Sequence, residues 1–297
     1  MSLVNAKGVD ISVFNGDVDF EMLKRNGIYF VMIGMGKRFD ENVRKAEAAG
    51  MPWGGYYYTY SLSAEEDAQE LQTILERLKG KRPTMPIALD VEDSDDYKKE
   101  NGGWNFDNVT RNAKYILEGL SKAGYYPMLY TGFEEIENYL AESVWKKYDM
   151  WWAQWSTRCG YPGNNLGMWQ FGGEINYICD PYIEGEIFDQ DYCYKDYPTI
   201  IKNGGYNGWK KSENVLDVVG FQYLDRGDGV LALKEMLLQA RRLGITTQGM
   251  DENGVYGDGT KIAVNQVLKR GGYEQNGIAG EKFIKYLAKL IKQATGK

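Results

Sequence analysis

The stretch "PIALDVEDSDD" (residues 86–96) is an apolar run that opens into a series of carboxylates. A short apolar run bounded by turn-forming residues is typical of a buried strand. Because successive strand residues point to opposite faces, Asp90 and Glu92 are predicted to share one face near the carboxyl end of this strand. The acids that follow, Asp93, Asp95 and Asp96, are predicted to form a solvated loop.

Further apolar runs of this kind occur through the first two hundred residues, at 8–14, 29–36, 54–61, 125–132, 148–155, 166–172 and 185–191. Counted in chain order and with the opening stretch included, the first five runs are separated by amphipathic segments that end in Gly. This is expected of helices with a glycine after the last turn. Strands that alternate with helices predict a parallel sheet, and eight such strands predict a closed or nearly closed barrel. Helical segments are missing between the later strands, so we expect an irregular TIM-like α/β barrel.

Acidic residues recur near the predicted carboxyl ends of three strands. Asp10 lies in "GVDIS", Asp90 and Glu92 in "ALDVE", and Asp189 and Asp191 in "IFDQD". In a parallel barrel these ends form one rim, where acids distant in sequence converge. Crowded carboxylates in a partly dry cleft cannot all ionise near their usual pKa, so one of them is predicted to retain its proton. A glycosidase uses a protonated acid to protonate the leaving oxygen and an ionised carboxylate to stabilise the oxocarbenium-like centre, so this arrangement suggests a glycosidase.

The composition excludes several other classes of protein. The 297-residue chain contains no histidine, which argues against serine–histidine hydrolases and histidine-ligated zinc enzymes. Its formal net charge of −7 argues against a nucleic-acid partner. The segment "DENGVYGDG" lacks the spacing of a calcium loop, and we expect neither a metal nor a cofactor. The cysteines Cys159, Cys179 and Cys193 are predicted to be reduced and structural.

Aromatic residues cluster near the same strand ends, in "GGYYYTYS", "YYPMLYTG", "MWWAQW" and "MWQF". Sugar rings present apolar C–H faces that stack on tyrosine and tryptophan rings. Some of these side chains are expected to belong to the core. The candidate substrate-binding residues are Tyr58, Tyr60, Tyr130, Trp151, Trp155 and Gln170.

From about Lys7 to Tyr197, the sequence resembles glycoside hydrolase family 25, the muramidases of phage endolysins and bacterial autolysins. The resemblance rests on "GVDISVFNGDVDFEMLKRNGIYFVMI", "GGYYYTYS", "IALDVED", "MLYTG", "MWWAQW", "MWQF" and "IFDQD" in this order. It implies a flattened, irregular barrel that cleaves the β-1,4 bond between N-acetylmuramic acid and N-acetylglucosamine in Gram-positive peptidoglycan.

The same resemblance implies roles for the acids. Glu92 matches the general acid. Asp10, Asp90 and Asp189 match the residues that orient the substrate's acetamido group or a water and stabilise positive charge.

The sequence departs from the family pattern near the end of the second strand. Members often carry a basic residue where this chain has Gly34, and Lys37 or Arg38 is the candidate substitute. The segment "GKRFDENVRKAEAAGM" (residues 36–51) is also shorter than in the family pattern, which predicts a more open cleft wall.

The tail has a different character. We predict a catalytic barrel over residues 1–202, a linker over 203–217 and a helical cell-wall binding module over 218–297. Within the module, "NGVYG" (253–257) and "NGIAG" (276–280) each lead into an amphipathic run, and with residues 230–244 they predict a compact three-helix unit. This unit resembles helical peptidoglycan-binding modules. It carries 12 Lys and Arg against 8 Asp and Glu, a balance that suits an anionic wall.

No window of the sequence is apolar enough for a membrane span, and the start "MSLVNAKGVDIS" lacks the features of a signal peptide. We therefore expect synthesis in the cytoplasm and action on the wall after lysis or passage through a phage-encoded pore. Two rival functions stay open: a substrate-assisted carbohydrase of the chitinase type, suggested by "DVE", and a wall-binding protein that has lost catalysis. The sequence does not indicate the oligomeric state.

Overall fold

The computed structural model describes residues 2–173, 179–212 and 214–296. This part of the chain forms two compact units, one from Met1–Ile201 with Tyr206–Trp209 and the other from Lys202–Gly205 with Lys210–Lys297. The domain boundaries proposed from the sequence stay a prediction, and Glu213 of the proposed linker lies outside the described residues. None of the helices in the described ranges combines the length and the apolar character needed to cross a bilayer.

Within the described residues, eight strands of the first unit close into a barrel, which confirms the predicted fold class. The barrel strands are β1 (Ala6–Ile11), β2 (Phe30–Gly34), β3 (Trp53–Tyr58), β4 (Ile87–Asp90), β5 (Pro127–Thr131), β6 (Asp149–Ala153), β7 (Leu166–Gly172) and β10 (Asp189–Cys193). A short hairpin of β8 (Tyr182–Ile183) and β9 (Glu186–Ile187) precedes the last of them. Around the barrel the order is β1, β10, β7, β6, β5, β4, β3 and β2.

The closing strand β10 runs antiparallel to both of its neighbours, β1 and β7, whereas the other neighbouring strands are parallel. The prediction of parallel strands throughout was therefore wrong for this element. Antiparallel neighbours do not need a crossover helix, and the segment before β10 contributes a hairpin instead. As a result the amino end of β10, at Asp189, lies at the rim where the parallel strands have their carboxyl ends.

The helices of the first unit begin and end as the sequence indicates. They are α1 (Phe20–Arg25), α2 (Phe39–Ala48), α3 (Ala64–Leu78), α4 (Tyr97–Glu100), α5 (Phe106–Lys122), α6 (Phe133–Asn138) and α7 (Glu142–Trp145), and α8 (Tyr197–Gly204) follows the barrel. Side chains of Asp19, Ser63 and Asn105 accept backbone N–H groups at the starts of α1, α3 and α5. After α3 and α5, Gly80 and Gly124 adopt φ angles of 77° and 83°, a conformation that costs glycine least.

Strand β4 is buried along its whole length and ends at Asp90. Pairing continues for one further bond, from the Val91 amide to the Tyr130 carbonyl at 2.9 Å. Glu92 therefore lies two residues beyond the strand rather than inside it as predicted. This position leaves the Glu92 side chain in a loop, while Asp90 stays fixed in the barrel.

The second unit contains α9 (Asp228–Arg242), α10 (Asp258–Arg270) and α11 (Glu281–Thr295) around an apolar core. The two sequence echoes adopt the same turn, because the Asn253 side chain accepts the Val255 amide at 3.0 Å and the Asn276 side chain accepts the Ile278 amide at 3.1 Å. Each turn leads into a helix whose first residue is acidic, Asp258 or Glu281, as the positive end of a helix dipole favours.

Candidate active site

A cleft of about 630 Å³ opens at the rim formed by the carboxyl ends of the parallel strands. The structure brings the predicted acids Asp10, Asp90, Glu92 and Asp189 together in its wall. Aromatic side chains make up much of the rest, namely Phe14, Tyr56, Tyr57, Tyr58, Tyr60, Tyr130 and Trp151. A cleft with convergent polar groups in apolar walls is the usual form of a small-molecule or glycan site.

Strand register explains the placement of three of these acids, Asp10, Asp90 and Asp189. Asp10 and Asp189 are direct partners across the β1–β10 pair. Asp90 is the partner of Tyr58 on β3 and of Tyr130 on β5. The barrel thus places each of these three acids beside another acid or beside an aromatic residue of the cleft.

The acids are buried, and burial sets their proton affinity. Burial raises the pKa of Asp10 well above its usual range, and the charge of Asp189 raises it further. Burial also raises the pKa of Asp90, followed by the charge of Glu92. For Glu92, burial again comes first, and the charge of Glu135 adds to it. The rise in pKa is therefore shared by Asp10, Asp90 and Glu92, and which of them retains the proton of the general acid stays a prediction.

Glu92 differs from Asp90 in access to the cleft rather than in the direction of its pKa shift. Glu92 is half-buried in the loop after β4, and Ser94 Oγ donates to its Oε1 at 3.4 Å. Asp90 is 5% exposed, and its Oδ1 has no hydrogen-bond donor among the described residues. The two neighbouring acids therefore differ in exposure and in hydrogen bonding, because Glu92 is the more exposed and accepts from Ser94.

A hydrogen-bonded chain crosses the cleft floor. Tyr130 Oη and Trp155 Nε1 each donate to Gln170 Oε1 at 3.0 Å. Gln170 Nε2 donates in turn to Asp10 Oδ2 at 2.8 Å. Trp151 Nε1 donates to Asp191 Oδ1 at 2.7 Å. These side chains hold Asp10 in a fixed orientation.

The predicted aromatic contacts fall into two groups. Tyr58 and Tyr60 stand in the cleft wall with their ring centroids 4.8 Å apart, and Tyr60 is 46% exposed. Tyr130 and Trp151 are 7% and 1% exposed and form the floor. Their role as substrate contacts, like those of Trp155 and Gln170, stays a prediction.

Lysine 98 is a functional candidate that sequence reasoning missed. It is 2% exposed, and its ammonium donates to the carbonyls of Thr59 and Glu92 at 2.6 and 2.5 Å. It also lies 4.6 Å from the centre of the Tyr58 ring. Lys98 thus joins the loop that carries the aromatic wall to the loop that carries Glu92. No local pattern in the sequence marks it, because its partners come from different loops.

Other cleft residues were also missed. Phe14, at the cleft mouth, is 94% exposed although its short 3-10 helix is fixed by the Ser12–Asn15 capping box. At the end of β2, the cleft wall contains Gly34 rather than a basic residue. Of the proposed substitutes, Arg38 pairs with Asp17 and Glu41, and Lys37 is exposed. Over the described ranges, no group of three or more His, Cys, Asp or Glu residues has the arrangement of a metal site.

Comparison with known proteins agrees with this geometry. A family model described as glycosyl hydrolases family 25 matches residues 9–178. A search of curated proteins gave no match.

Several solved structures share the fold. A family 25 glycosyl hydrolase from Bacillus anthracis aligns with a TM-score of 0.55 at 20% identity, over 70% of this chain and 95% of that one. The modular autolysin LytC from Streptococcus pneumoniae, in complex with a synthetic peptidoglycan ligand, aligns with a TM-score of 0.56 at 20% identity, over 64% of this chain and 46% of that one. The CTP1L endolysin aligns with a TM-score of 0.55 at 17% identity, over 98% of this chain and all of that one.

Proposed function

The chain belongs to glycosyl hydrolase family 25, and from that premise we propose that it is an N-acetylmuramidase with Glu92 as its general acid. It is a peptidoglycan hydrolase, and the bond we assign to it is the β-1,4 link between N-acetylmuramic acid and N-acetylglucosamine. The observation that carries the assignment is the meeting of Asp10, Asp90, Glu92 and Asp189 in one cleft.

Burial of Glu92 beside other carboxyls supports its role as the acid. A general acid must still hold its proton at the working pH, and burial together with the charge of Glu135 raises the pKa of Glu92 in the required direction. Asp90 is fixed in β4, where burial and then the charge of Glu92 raise its pKa. The access of Glu92 to the cleft supports its assignment as the donor to the leaving oxygen.

The remaining acids act on the other side of the bond. We assign Asp10 and Asp189, which are register partners, to orienting the acetamido group or a water and to stabilising the oxocarbenium-like centre. Tyr58 and Tyr60 supply a wall on which a sugar ring stacks. Phe14 extends this apolar surface to the mouth of the cleft.

The test compares purified Gram-positive walls treated with the wild type and with Glu92→Gln. Removal of a general acid lowers kcat by about 10²- to 10⁴-fold. Glu137→Gln, an exposed change on α6, is the matched control and should clear walls at the wild-type rate. Equal clearing by wild type and Glu92→Gln would show that another residue is the acid. The product identifies the bond, because a reducing-end muramic acid is expected and a reducing-end N-acetylglucosamine contradicts the assignment.

For the second unit we propose binding to the cell wall, reached after release of the enzyme from the cell. Four exposed lysines, Lys282, Lys285, Lys289 and Lys292, recur along one face of α11 at helical spacing. Replacing all four with glutamine in the Glu92→Gln background should weaken cosedimentation with walls. The change should also reduce the dependence of binding on salt concentration. Unchanged binding would exclude this face as the contact.

A further inference from the structure

The carboxyl of Asp191 is buried directly beneath the cleft, and the proposed function gives it no role. The whole residue Asp191 is 0% exposed. Because β10 is antiparallel, Asp191 lies one layer deeper in the barrel than Asp189 instead of nearer to the rim. Its register partner on β1 is Gly8, which has no side chain, and the ring of Phe30 fills the place where a Cβ of that residue would lie.

Two indole groups define the direction of the hydrogen bonds around this carboxyl, because an indole N–H only donates. Trp155 Nε1 points at Gln170 and therefore identifies the facing atom as the amide oxygen. The other amide atom, Nε2, must then donate to Asp10 Oδ2. At the far end, Trp151 Nε1 donates to Asp191 Oδ1. Asp10 and Asp191 therefore each accept one hydrogen bond from an N–H group whose identity as the donor is fixed.

The two carboxyls then meet each other. Asp191 Oδ2 is buried, and no N–H or hydroxyl donor of the described residues reaches it. Asp10 is the diagonal neighbour of Asp191 on β1, two residues from the register partner Gly8, and a side-chain hydrogen bond between the two carboxyls contributes to the pKa of each. Two ionised carboxylates in contact would leave acceptor facing acceptor, so one proton must lie between them. Asp10 is 9% exposed and Asp191 is fully buried, and the charged form is less costly at the more exposed site.

We infer that Asp191 holds this proton and donates it in a hydrogen bond to Asp10, and so acts as a positioning residue that keeps Asp10 ionised and fixed in the cleft. The ionisable groups whose charges act on Asp191 are Asp10 and Asp189, both acidic. Together with burial, they raise the pKa of Asp191 well above its usual range, which agrees with the hydrogen-bond pattern. The role of Asp10 in catalysis rests on the proposed function, whereas the place of the proton does not.

Two substitutions separate the proton from the shape of the side chain. In Asp191→Asn, the amide oxygen accepts from Trp151 and the amide N–H₂ donates to Asp10, as the protonated acid does. We expect kcat within about threefold of the wild type and an unchanged KM, because each hydrogen bond is reproduced. Asp191→Leu keeps the branched outline of the side chain, although it is larger, and supplies no donor, so Asp10 loses its support. We expect kcat to fall by about 100-fold or more, since small displacements of reacting groups have effects of this size.

A direct measurement keeps the inference testable if Asp191→Leu does not fold. Infrared spectra of the full chain with ¹³C-labelled aspartate carboxyls should contain a protonated carboxyl band at neutral pH that is lost in Asp191→Asn. The same band should be lost in Asp10→Asn, where the new amide donates to Asp191 and removes the need for a proton. Persistence of the band in both variants overturns the inference, as does a loss of kcat in Asp191→Asn equal to that in Asp191→Leu. Full activity of Glu92→Gln would instead contradict only the proposed function.

Discussion

The acidic run at residues 90–96 divides into two regions with opposite chemistry. In the first half, Asp90 is buried in the barrel and Glu92 is half-buried just beyond it, and burial raises the pKa of both. In the loop half, the carboxylates are surrounded by donors. Asp93 accepts the amides of Lys98 and Lys99, each at 2.9 Å, at the start of α4. Acidic residues adjacent in sequence therefore differ in the bonds they accept, since Asp93 accepts two backbone amides whereas Asp90 Oδ1 accepts none from the described residues.

The difference shows which carboxylates stabilise the fold and which serve the chemistry. A carboxylate that accepts backbone N–H bonds at a helix start lowers the free energy of the folded state. A buried carboxylate without a donor, such as Asp90 Oδ1, raises it. Active sites commonly keep such costly groups for their reactivity. The two regions should therefore respond in opposite ways to the same isosteric change from aspartate to asparagine.

The largest effect is expected for Asp90→Asn. Loss of a charge that faces the reacting centre lowers kcat by about 10²- to 10³-fold. The free energy of unfolding should stay equal or rise, because a buried charge without a donor is removed. Every tryptophan of the chain lies in the first unit, so urea unfolding followed by tryptophan fluorescence measures the stability of the barrel alone. Wild-type activity, or a clear loss of stability, would contradict the comparison.

Asp90→Asn should also alter how stability depends on pH. Because the pKa of Asp90 is raised in the folded state, the folded state binds more protons than the unfolded state above the unfolded pKa of about 4. Stability therefore falls as the pH rises from that value through the folded-state pKa. The variant lacks this contribution, so its unfolding free energy should fall less over the same window.

Asp93→Asn should have the converse effect. One of its oxygens becomes an N–H₂ group that faces a backbone N–H, and the buried Lys98, whose ammonium is 4.0 Å away, loses a counter-charge. The barrel should lose about 1.5–3 kcal/mol of stability, as for other hydrogen bonds to charged groups. Its kcat should change less than that of Asp90→Asn. The same fluorescence-detected urea titration measures the loss, and unchanged stability would mean that the side chain of Asp93 does not support the loop.

A smaller effect is expected for Glu135→Gln, which tests the environment of Glu92. After burial, the charge of Glu135 is the next cause of the raised Glu92 pKa, so its removal lowers that pKa. The acid then loses its proton at a lower pH. In the pH profile of kcat/KM, the alkaline limb should therefore shift to lower pH by about half a pH unit. The Gly132 amide donates to Glu135 Oε2 at 3.1 Å, and the side-chain oxygen of glutamine can still accept this hydrogen bond. Glu137→Gln is the control, and a limb that moves in neither variant contradicts the assignment.

Much of the fold and part of the site followed from the sequence. The apolar run before Asp90 and the glycines after the helices are local signals, and they predicted the barrel and the meeting of four acids. The direction of β10 was not predictable from its own residues, because strand polarity depends on how the preceding connection returns. The pattern placed Asp189 and Asp191 on one face, but their depth depends on that polarity. The burial of Lys98 depends on two loops meeting, which no single segment of sequence reports.

The smallest effect is expected for Asp95→Asn, at the outer end of the run. Slight burial raises the pKa of Asp95, but hydrogen bonds from the Tyr97 amide and the Tyr58 hydroxyl outweigh it, and the pKa is lowered. The amide oxygen of asparagine can still accept from Tyr58, whose hydroxyl is 3.2 Å from Asp95 Oδ1. Stability should change by less than about 0.5 kcal/mol, as for most surface substitutions. The KM for wall fragments should stay near the wild-type value because the Tyr58 ring keeps its position. A KM increase comparable to that of Tyr58→Ala would show that the charge of Asp95, and not only its hydrogen bond, acts on the substrate.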